Sequence, residues 1–329
     1  MAHLFAATQT PHILLVKTSS LGDVLHNLPV VSDIARHYPN AQIDWVVEEG
    51  FAALPRLHPA VRNVIPVAVR RWRGRLLSAA AWREIAAFRN TLAAQRYDVA
   101  IDTQGLLKSA LLMLGAQGLR CGFDRDSARE PLAARLYQRT FPVATGQHAV
   151  ERNRQLAAQA LGYPLEGKAE YGILPPAISR PDWLAKGPYA VLLHATSRAD
   201  KLWDEANWIA LGHHLHERSI RCVLPWGSAA EQARSLRLAA AIPGAVAPPR
   251  LNLNEVGALL GGAQAVIGVD TGLAHLAAAL GVPTVGIYTS TDPALTGLYA
   301  GRCAVNLGNI GRAPDTAAII DALQQAAVC

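Results

Sequence analysis

Short runs of β-branched and aliphatic residues alternate with longer Ala-, Leu- and Arg-rich stretches along almost the whole chain, and this alternation restricts the fold more than any other feature. HILLVK, QIDWVVEE, VIPVAV and DVAIDTQ read as strands of the first half, with helical spacing over 23–37 and 79–95. Strands joined through helices run parallel, because the helix carries the chain back to the edge where the last strand began. The pattern lapses between Gly162 and Pro188, where GYPLEGKAEYG and LPPAISRP gather residues that break both helix and strand. It resumes with YAVLLHAT, RCVLPWG, AVIGVD and TVGIYT, separated by helical segments near 204–218, 229–241, 253–262 and 271–281. The expected fold class is α/β, with two Rossmann-like domains whose parallel sheets face across a cleft.

The boundaries follow from the same pattern. Residues 1–11 read as a disordered extension, since MAHLFAATQT has neither the basic start nor the apolar core of a signal peptide. Residues 12–165 are expected to form the N-terminal domain, 166–188 the linker and 189–329 the C-terminal domain, with the last helix able to pack back on the N-terminal domain. A chain of 329 residues can bury two cores of ordinary size. No apolar run approaches the roughly 20 residues that span a bilayer. Cys121, Cys222, Cys303 and Cys329 are widely spaced, with no CxxC pair, and read as reduced thiols. Lys and Arg outnumber Asp and Glu 19 to 12 over residues 1–165 but trail them 12 to 13 over 166–329. The front half is therefore expected to meet something anionic.

Ligands of parallel sheets bind outside the carboxyl ends of the strands, and the chemistry-bearing residues stand there. KTSSLGDVLHNLP follows the first strand: small hydroxyl residues, then Gly22, then Asp23 near a helix start, where Asp serves equally as an N-cap. HATSRADKLW places Thr196, Ser197 and Lys201 after another strand, two hydroxyls and an ammonium suited to a phosphate. VDTGLAHL sets Asp270, Thr271 and Gly272 at a strand end, with His275 one turn into the next helix. Asp270 is either an N-cap or a ligand group, and His275 either a core histidine or a donor. VRRWRGR brings Arg70, Arg71, Arg73 and Arg75 to the end of VIPVAV. Asp124-Arg125-Asp126 is a DxD, a weak metal signal on its own. GxSxG, HExxH, GxxxxGK[ST] and a strand-borne GxGxxG are absent. That absence counts against hydrolases and against a nicotinamide-dependent oxidoreductase. A basic nucleic-acid-binding protein is the other class to weigh, but the sequence has no RNP or helix-turn-helix pattern.

Taken in order, KTSSLGDVLHNLP, DWVVEEGF, RRWR, DTQGLLKSA, HATSRADKLW, LPWG and VDTGLAHL resemble the bacterial lipopolysaccharide heptosyltransferases, glycosyltransferases of family 9 with the GT-B architecture. The first turn favours the type I enzymes, since type II members lack KTSSxGD. The resemblance implies inverting transfer of L-glycero-D-manno-heptose from ADP-heptose to the inner Kdo of Kdo2-lipid A; a related activity on another core sugar is the alternative. It also implies that Asp23 is the general base and that Lys201 steadies the leaving diphosphate. The implied donor-binding residues are Thr196, Ser197, Lys201, Glu231, Leu251, Asp270, Thr271, Gly272 and His275. On the acceptor side they are Ser19, Ser20, Gly22, Arg70, Arg71, Arg73, Arg129 and His148. Where some relatives carry a lysine after RRWR, this chain has Gly74 and Arg75. The resemblance implies no required cofactor and no metal site, although a divalent cation such as Mg²⁺ is compatible with the chemistry. The implied partners are ADP-heptose, Kdo2-lipid A and the cytoplasmic face of the inner membrane, met peripherally through charge by a monomer, with no nucleic acid.

Overall fold

The computed structural model describes Phe5 and residues 10–75, 77–196 and 198–326. Most of the expected N-terminal extension, and Ser197, lie outside the described residues. The chain divides into two compact units, Met1–Gly172 and Ile173–Cys329.

In the first unit the strands are β1 (His12–Val16), β2 (Gln42–Glu48), β3 (Val61–Val67), β4 (Arg96–Asp102), β5 (Gln117–Phe123) and β6 (Arg139–Phe141). Its helices are α1 (Leu21–Leu25), α2 (Leu28–His37), α3 (Val69–Arg73), α4 (Ala79–Ala93), α5 (Leu107–Leu112) and α6 (Ala149–Leu161). All pairings are parallel, in the order β3-β2-β1-β4-β5-β6. The order reverses between β1 and β4, which leaves a crevice at their carboxyl ends. Helical spacing over 23–37 is realised as two helices, because Pro29 has no N–H to continue one from α1 and instead occupies the first turn of α2. The strands are buried on both faces: Ile13, Leu14, Leu15 and Val16 are each 0% exposed. A buried ion pair, Arg154 Nε to Asp33 at 2.7 Å, holds α6 on α2.

The second unit contains β7 (Tyr189–Leu193), β8 (Arg221–Val223), β9 (Ala265–Val269), β10 (Thr284–Tyr288) and β11 (Ala304–Gly308). They alternate with α7 (Glu205–Glu217), α8 (Ala229–Ala241), α9 (Leu253–Gly261), α10 (Gly272–Ala279), α11 (Pro293–Thr296) and α12 (Thr316–Ala326). This sheet is also parallel, ordered β11-β10-β9-β7-β8, so its reversal lies between β7 and β9. The last helix, α12, packs on β10, β11 and α7 of its own unit. The Pro-rich segment also packs here: a Cβ on Gly261 of α9 would sit 2.4 Å from the Pro175 side chain, so only glycine admits that contact. Cys121 and Cys222 are buried free thiols. Cys303, however, is disulfide-bonded, against the expectation of reduced thiols throughout.

Candidate active site

In each unit several of the residues singled out from sequence gather at the point where strand order reverses. In the first unit, β1 runs into Lys17-Thr18-Ser19-Ser20 and β4 into Asp102-Thr103-Gln104. Gln104 shapes the first turn from 85 residues away. Its Oε1 accepts from the Thr18 and Ser19 N–H groups at 2.9 and 3.2 Å, and its Nε2 donates to the Ser19 carbonyl. Asp102, 0% exposed, fixes Gln104 in turn. Its carboxylate accepts from Gln104 N–H (2.8 Å), Gly105 N–H (3.3 Å), Ser109 Oγ (2.7 Å) and Tyr137 Oη (2.7 Å). Burial pushes the Asp102 pKa up, against the pull of those four donors. Gly105 has φ +66°, and a Cβ there would meet the Phe123 ring at 3.1 Å and Arg129 N at 3.3 Å. Glycine at that corner is what lets the bend at Arg129 approach.

The N-cap of α1 is Ser20, not Asp23. Asp23 stands three residues on, where its Oδ2 accepts from Ser20 N–H at 2.8 Å and Ser20 Oγ at 3.1 Å. Arg129 Nη1 lies 3.7 Å from the same oxygen. Oδ1 makes no hydrogen bond among the described residues, and the side chain keeps 22% of its exposure. Lys108, from the DTQGLLKSA stretch, donates to Ser19 Oγ at 3.2 Å. Beneath them Lys17 is buried, donating to the Thr103 carbonyl at 2.7 Å and to Asn153 at 3.3 Å. Burial lowers its pKa to about 8, while Asp23 nearby pulls the other way. Arg129, Lys108 and Gln104 thus gather on the turn that carries Lys17, Ser19, Ser20, Gly22 and Asp23, and Lys17, Lys108 and Gln104 are three side chains that the motif reading did not assign.

The remaining acceptor-side residues are placed differently. Arg70, Arg71 and Arg73 belong to a helical turn, α3, at the carboxyl end of edge strand β3. Arg71 is held between Glu49 (3.1 Å) and Glu84 (2.8 Å), which raise its pKa further above the ordinary guanidinium value. Arg70 N–H donates to Glu48 Oε1 at 3.0 Å, and Glu48 N–H donates to the Thr18 carbonyl at 3.1 Å, so two hydrogen bonds tie α3 to the first turn. His148 is the N-cap of α6, its Nδ1 accepting from Val150 N–H, and lies edge-on to His26, which ends α1. The DxD is a turn cap: Asp124 Oδ1 accepts from Ser127 N–H at 2.9 Å. Among the described residues no group of three or more His, Cys, Asp or Glu could hold a metal ion.

In the second unit, Asp270 is the residue before the N-cap of α10, which is Thr271. Asp270 Oδ2 accepts from Lys201 Nζ at 2.6 Å and Thr291 Oγ1 at 2.8 Å, and its carbonyl accepts from Thr196 Oγ1 at 3.3 Å. Asp270 therefore ties together the turns after β7, β9 and β10. Gly272 opens α10 with its free N–H groups, while His275 is buried, 6% exposed. A cavity of about 280 Å³ adjoins these turns, lined by Thr196, Thr271, Glu231 and Leu251, together with Trp226 and Val256. Trp226 comes from the LPWG stretch, and its ring is fixed by Nε1 donating to the Pro248 carbonyl at 2.8 Å. Glu231 spends Oε2 on Gly227 and Ser228 N–H at the start of α8, leaving Oε1 without a hydrogen bond among the described residues. Below the cavity His194 is 0% exposed, and neither ring nitrogen has a partner among the described residues. Burial lowers its pKa to about 4.

Residues 85–320 match the family model described as glycosyltransferase family 9 (heptosyltransferase). The chain is 52% identical over 303 residues to lipopolysaccharide heptosyltransferase 1 of Pseudomonas aeruginosa, covering 90% of this chain and 83% of that protein. Among solved structures, E. coli heptosyltransferase WaaC with ADP superposes with a TM-score of 0.88 at 43% identity, covering 96% of this chain and 99% of that one. The same enzyme with ADP-2-deoxy-2-fluoro heptose gives 0.85 at 42% identity, over 95% and 99%.

Proposed function

This chain belongs to glycosyltransferase family 9 and has the GT-B fold, and we propose that it transfers L-glycero-D-manno-heptose from ADP-heptose to the inner Kdo of Kdo2-lipid A, with Asp23 as the general base. It is a heptosyltransferase of lipopolysaccharide core biosynthesis. The mechanism rests above all on one observation: among the described residues Asp23 is oriented through Oδ2 alone, and Oδ1 stays unengaged at the strand-order reversal. A base needs one oxygen to fix its direction and another to take the proton. The acceptor hydroxyl oxygen attacks the anomeric carbon as its proton passes to Asp23. The bond from that carbon to the β-phosphate oxygen breaks, and ADP leaves with the electron pair. Attack opposite to departure inverts the anomeric centre.

The donor side supplies what a leaving diphosphate needs. The N–H groups of Thr271 and Gly272 at the start of α10 and the Lys201 ammonium stabilise the developing charge. Asp270 fixes where that ammonium points, and Thr196 and Thr271 line the phosphate end of the cavity. The cavity takes the nucleoside, with Leu251 and Trp226 against adenine and Glu231 Oε1 accepting from ribose hydroxyls. Ser197 and His275 complete the donor set, the latter reaching phosphate or ribose from within α10. On the acceptor side Ser19, Ser20, Gly22, Lys108 and Arg129 receive the Kdo carboxylates, and Arg70, Arg73 and His148 the more distant phosphates. Arg71 contributes through the position of α3, since Glu49 and Glu84 already hold its guanidinium. The work is done at the inner face of the inner membrane, with the protein held there peripherally by charge. Among the described residues no helix is long and apolar enough to cross a membrane.

Incubation with ADP-heptose and Kdo2-lipid A, read by mass spectrometry beside Asp23→Ala, tests both parts. One added heptose with wild type, and a rate lower by about 10² to 10⁴ in the variant with donor binding kept, is the expected result. Product on another core acceptor alone would give the chain the sister specificity. Full activity of the variant would reduce Asp23 to the partner of Ser20 in the capping box of α1.

A further inference from the structure

The segment after β3 carries more than the acceptor arginines. Residues 69–90 hold six arginines, Arg70, Arg71, Arg73, Arg75, Arg83 and Arg89, against a single acid, Glu84. That acid is already engaged, by Arg71 at 2.8 Å and by Trp72 Nε1 at 2.7 Å. Set among the arginines are two large apolar side chains that the fold leaves outside: Leu77 at 104% relative exposure and Trp82 at 56%. Helix α4 buries Ala81, Phe88 and Leu92 and turns Trp82, Arg83, Ala86 and Arg89 to solvent. Exposed apolar and cationic side chains in one segment, whose single acid is already paired, are a poor match to water. They match an interface that is apolar a few ångströms down and negatively charged on top.

We propose that Leu77 and Trp82, flanked by Arg75, Arg83 and Arg89, dock this protein on an anionic lipid surface, the two apolar side chains entering the headgroup layer. The proposal builds on the heptose-transfer reading, since a lipid-linked acceptor lies in such a surface. The segment is placed to deliver it: α3 stands at the carboxyl end of β3, the same sheet edge that carries the Asp23 turn, and Glu48 joins the two by its hydrogen bonds to Thr18 and Arg70. Charge complementarity selects an anionic membrane over a neutral one. The wholly exposed Leu77 selects lipid over nucleic acid, whose phosphates and base faces give an aliphatic side chain little to bury in.

Sedimentation of the full chain with vesicles of phosphatidylcholine, alone or with about 30 mol% phosphatidylglycerol, reads the docking directly. Wild type is expected to partition onto the anionic vesicles at least about tenfold more strongly than onto neutral ones. Leu77→Ser/Trp82→Ser and Arg83→Gln/Arg89→Gln should each lower that partition about tenfold, with melting temperatures unchanged. If the first variant melts lower, Leu77→Ser alone carries the test. A transfer assay on an O-deacylated, water-soluble acceptor separates this proposal from the functional one. The docking variants should turn that acceptor over as wild type does, yet need more of the acylated acceptor when it is presented in vesicles. Equal binding of wild type to neutral and anionic vesicles, or variants that bind as wild type does, would overturn the docking face even if heptose transfer holds. Variants that lose affinity for single-stranded RNA while keeping vesicle binding would overturn it in favour of a nucleic-acid surface.

Discussion

The two sheets put their functional turns at the same topological place and fill that place with opposite chemistry. Under the first turn lie a buried lysine, a buried aspartate and a buried glutamine, ringed by Arg129 and Lys108. Below the second lies a neutral buried histidine, beside a cavity walled by Leu251, Val256 and Trp226, with a tight ion pair of Lys201 and Asp270. A partner recognised mainly by its charge needs a field, which many partly exposed cations provide. A nucleotide recognised by shape needs a fixed apolar wall and a few aimed polar atoms. On the proposed function the same parallel-sheet crevice serves two recognition modes, and the 19 to 12 excess of basic over acidic residues in the front half is the sequence trace expected of the first.

The comparison can be broken at several points. On the donor side the largest effect is expected for Lys201→Met: removing the cation proposed to steady the leaving diphosphate should lower kcat by about 10² to 10³ while the KM for the donor moves far less. Rapid-quench measurement of the transfer step checks it, and a change confined to KM would assign Lys201 to ground-state binding.

The buried titratable groups come next. His194 (about 4, ordinarily 6.5) and Lys17 (about 8, ordinarily 10.5) both have pKa values lowered by burial, so the unfolded chain binds the extra proton in each case. Stability therefore rises with pH through each window, 4 to 6.5 for His194 and 8 to 10.5 for Lys17. Denaturant unfolding against pH should show His194→Leu gaining on wild type by up to about 3 kcal/mol as pH falls through the first window. Lys17→Met should lose a similar advantage, also about 3 kcal/mol, as pH rises through the second. Parallel pH curves for wild type and variant would mean that the group keeps its charge state on folding.

The smallest effect sharpens the contrast itself. Raising salt from about 0.05 to 0.5 M should increase the KM for the acceptor roughly tenfold and that for ADP-heptose less than about threefold. Equal salt dependence on both sides would remove the distinction between field and shape.

Much of this was legible because it is local. HILLVK, QIDWVVEE, YAVLLHAT, AVIGVD and TVGIYT each contain the strand that forms, since an apolar run with breakers at both ends has few other uses in a parallel sheet. Strands β5, β6 and β11 were harder to read. QGLRCGF contains two glycines and an arginine, β6 has only three residues, and β11 is a half-buried edge strand, so none presents a clear apolar signature. At the site, the positions of Asp23, Lys201, Asp270 and Thr271 just beyond strand ends were readable from spacing. Their partners were not. Whether Asp23 is an N-cap turns on which residue adopts the extended backbone conformation at the start of α1, and Ser20 does. Trp226 could have been assigned from LPWG, but only the fold shows it lining the cavity beside Leu251.

By itself the sequence determined two parallel α/β units, the turns that carry chemistry and the basic character of the first half, because periodicity, breakers and charge are properties of neighbouring residues. Only the tertiary structure decided the strand orders, and with them which turns meet at each reversal. It alone brought Gln104 to the backbone of Ser19, Arg129 to Asp23 and Asp270 to Lys201, and it alone set Arg71 between Glu49 and Glu84. The physical reason is separation along the chain: 85 residues part Gln104 from Ser19 and 69 part Lys201 from Asp270, so no local preference records those contacts, and only the packing of strands side by side makes them.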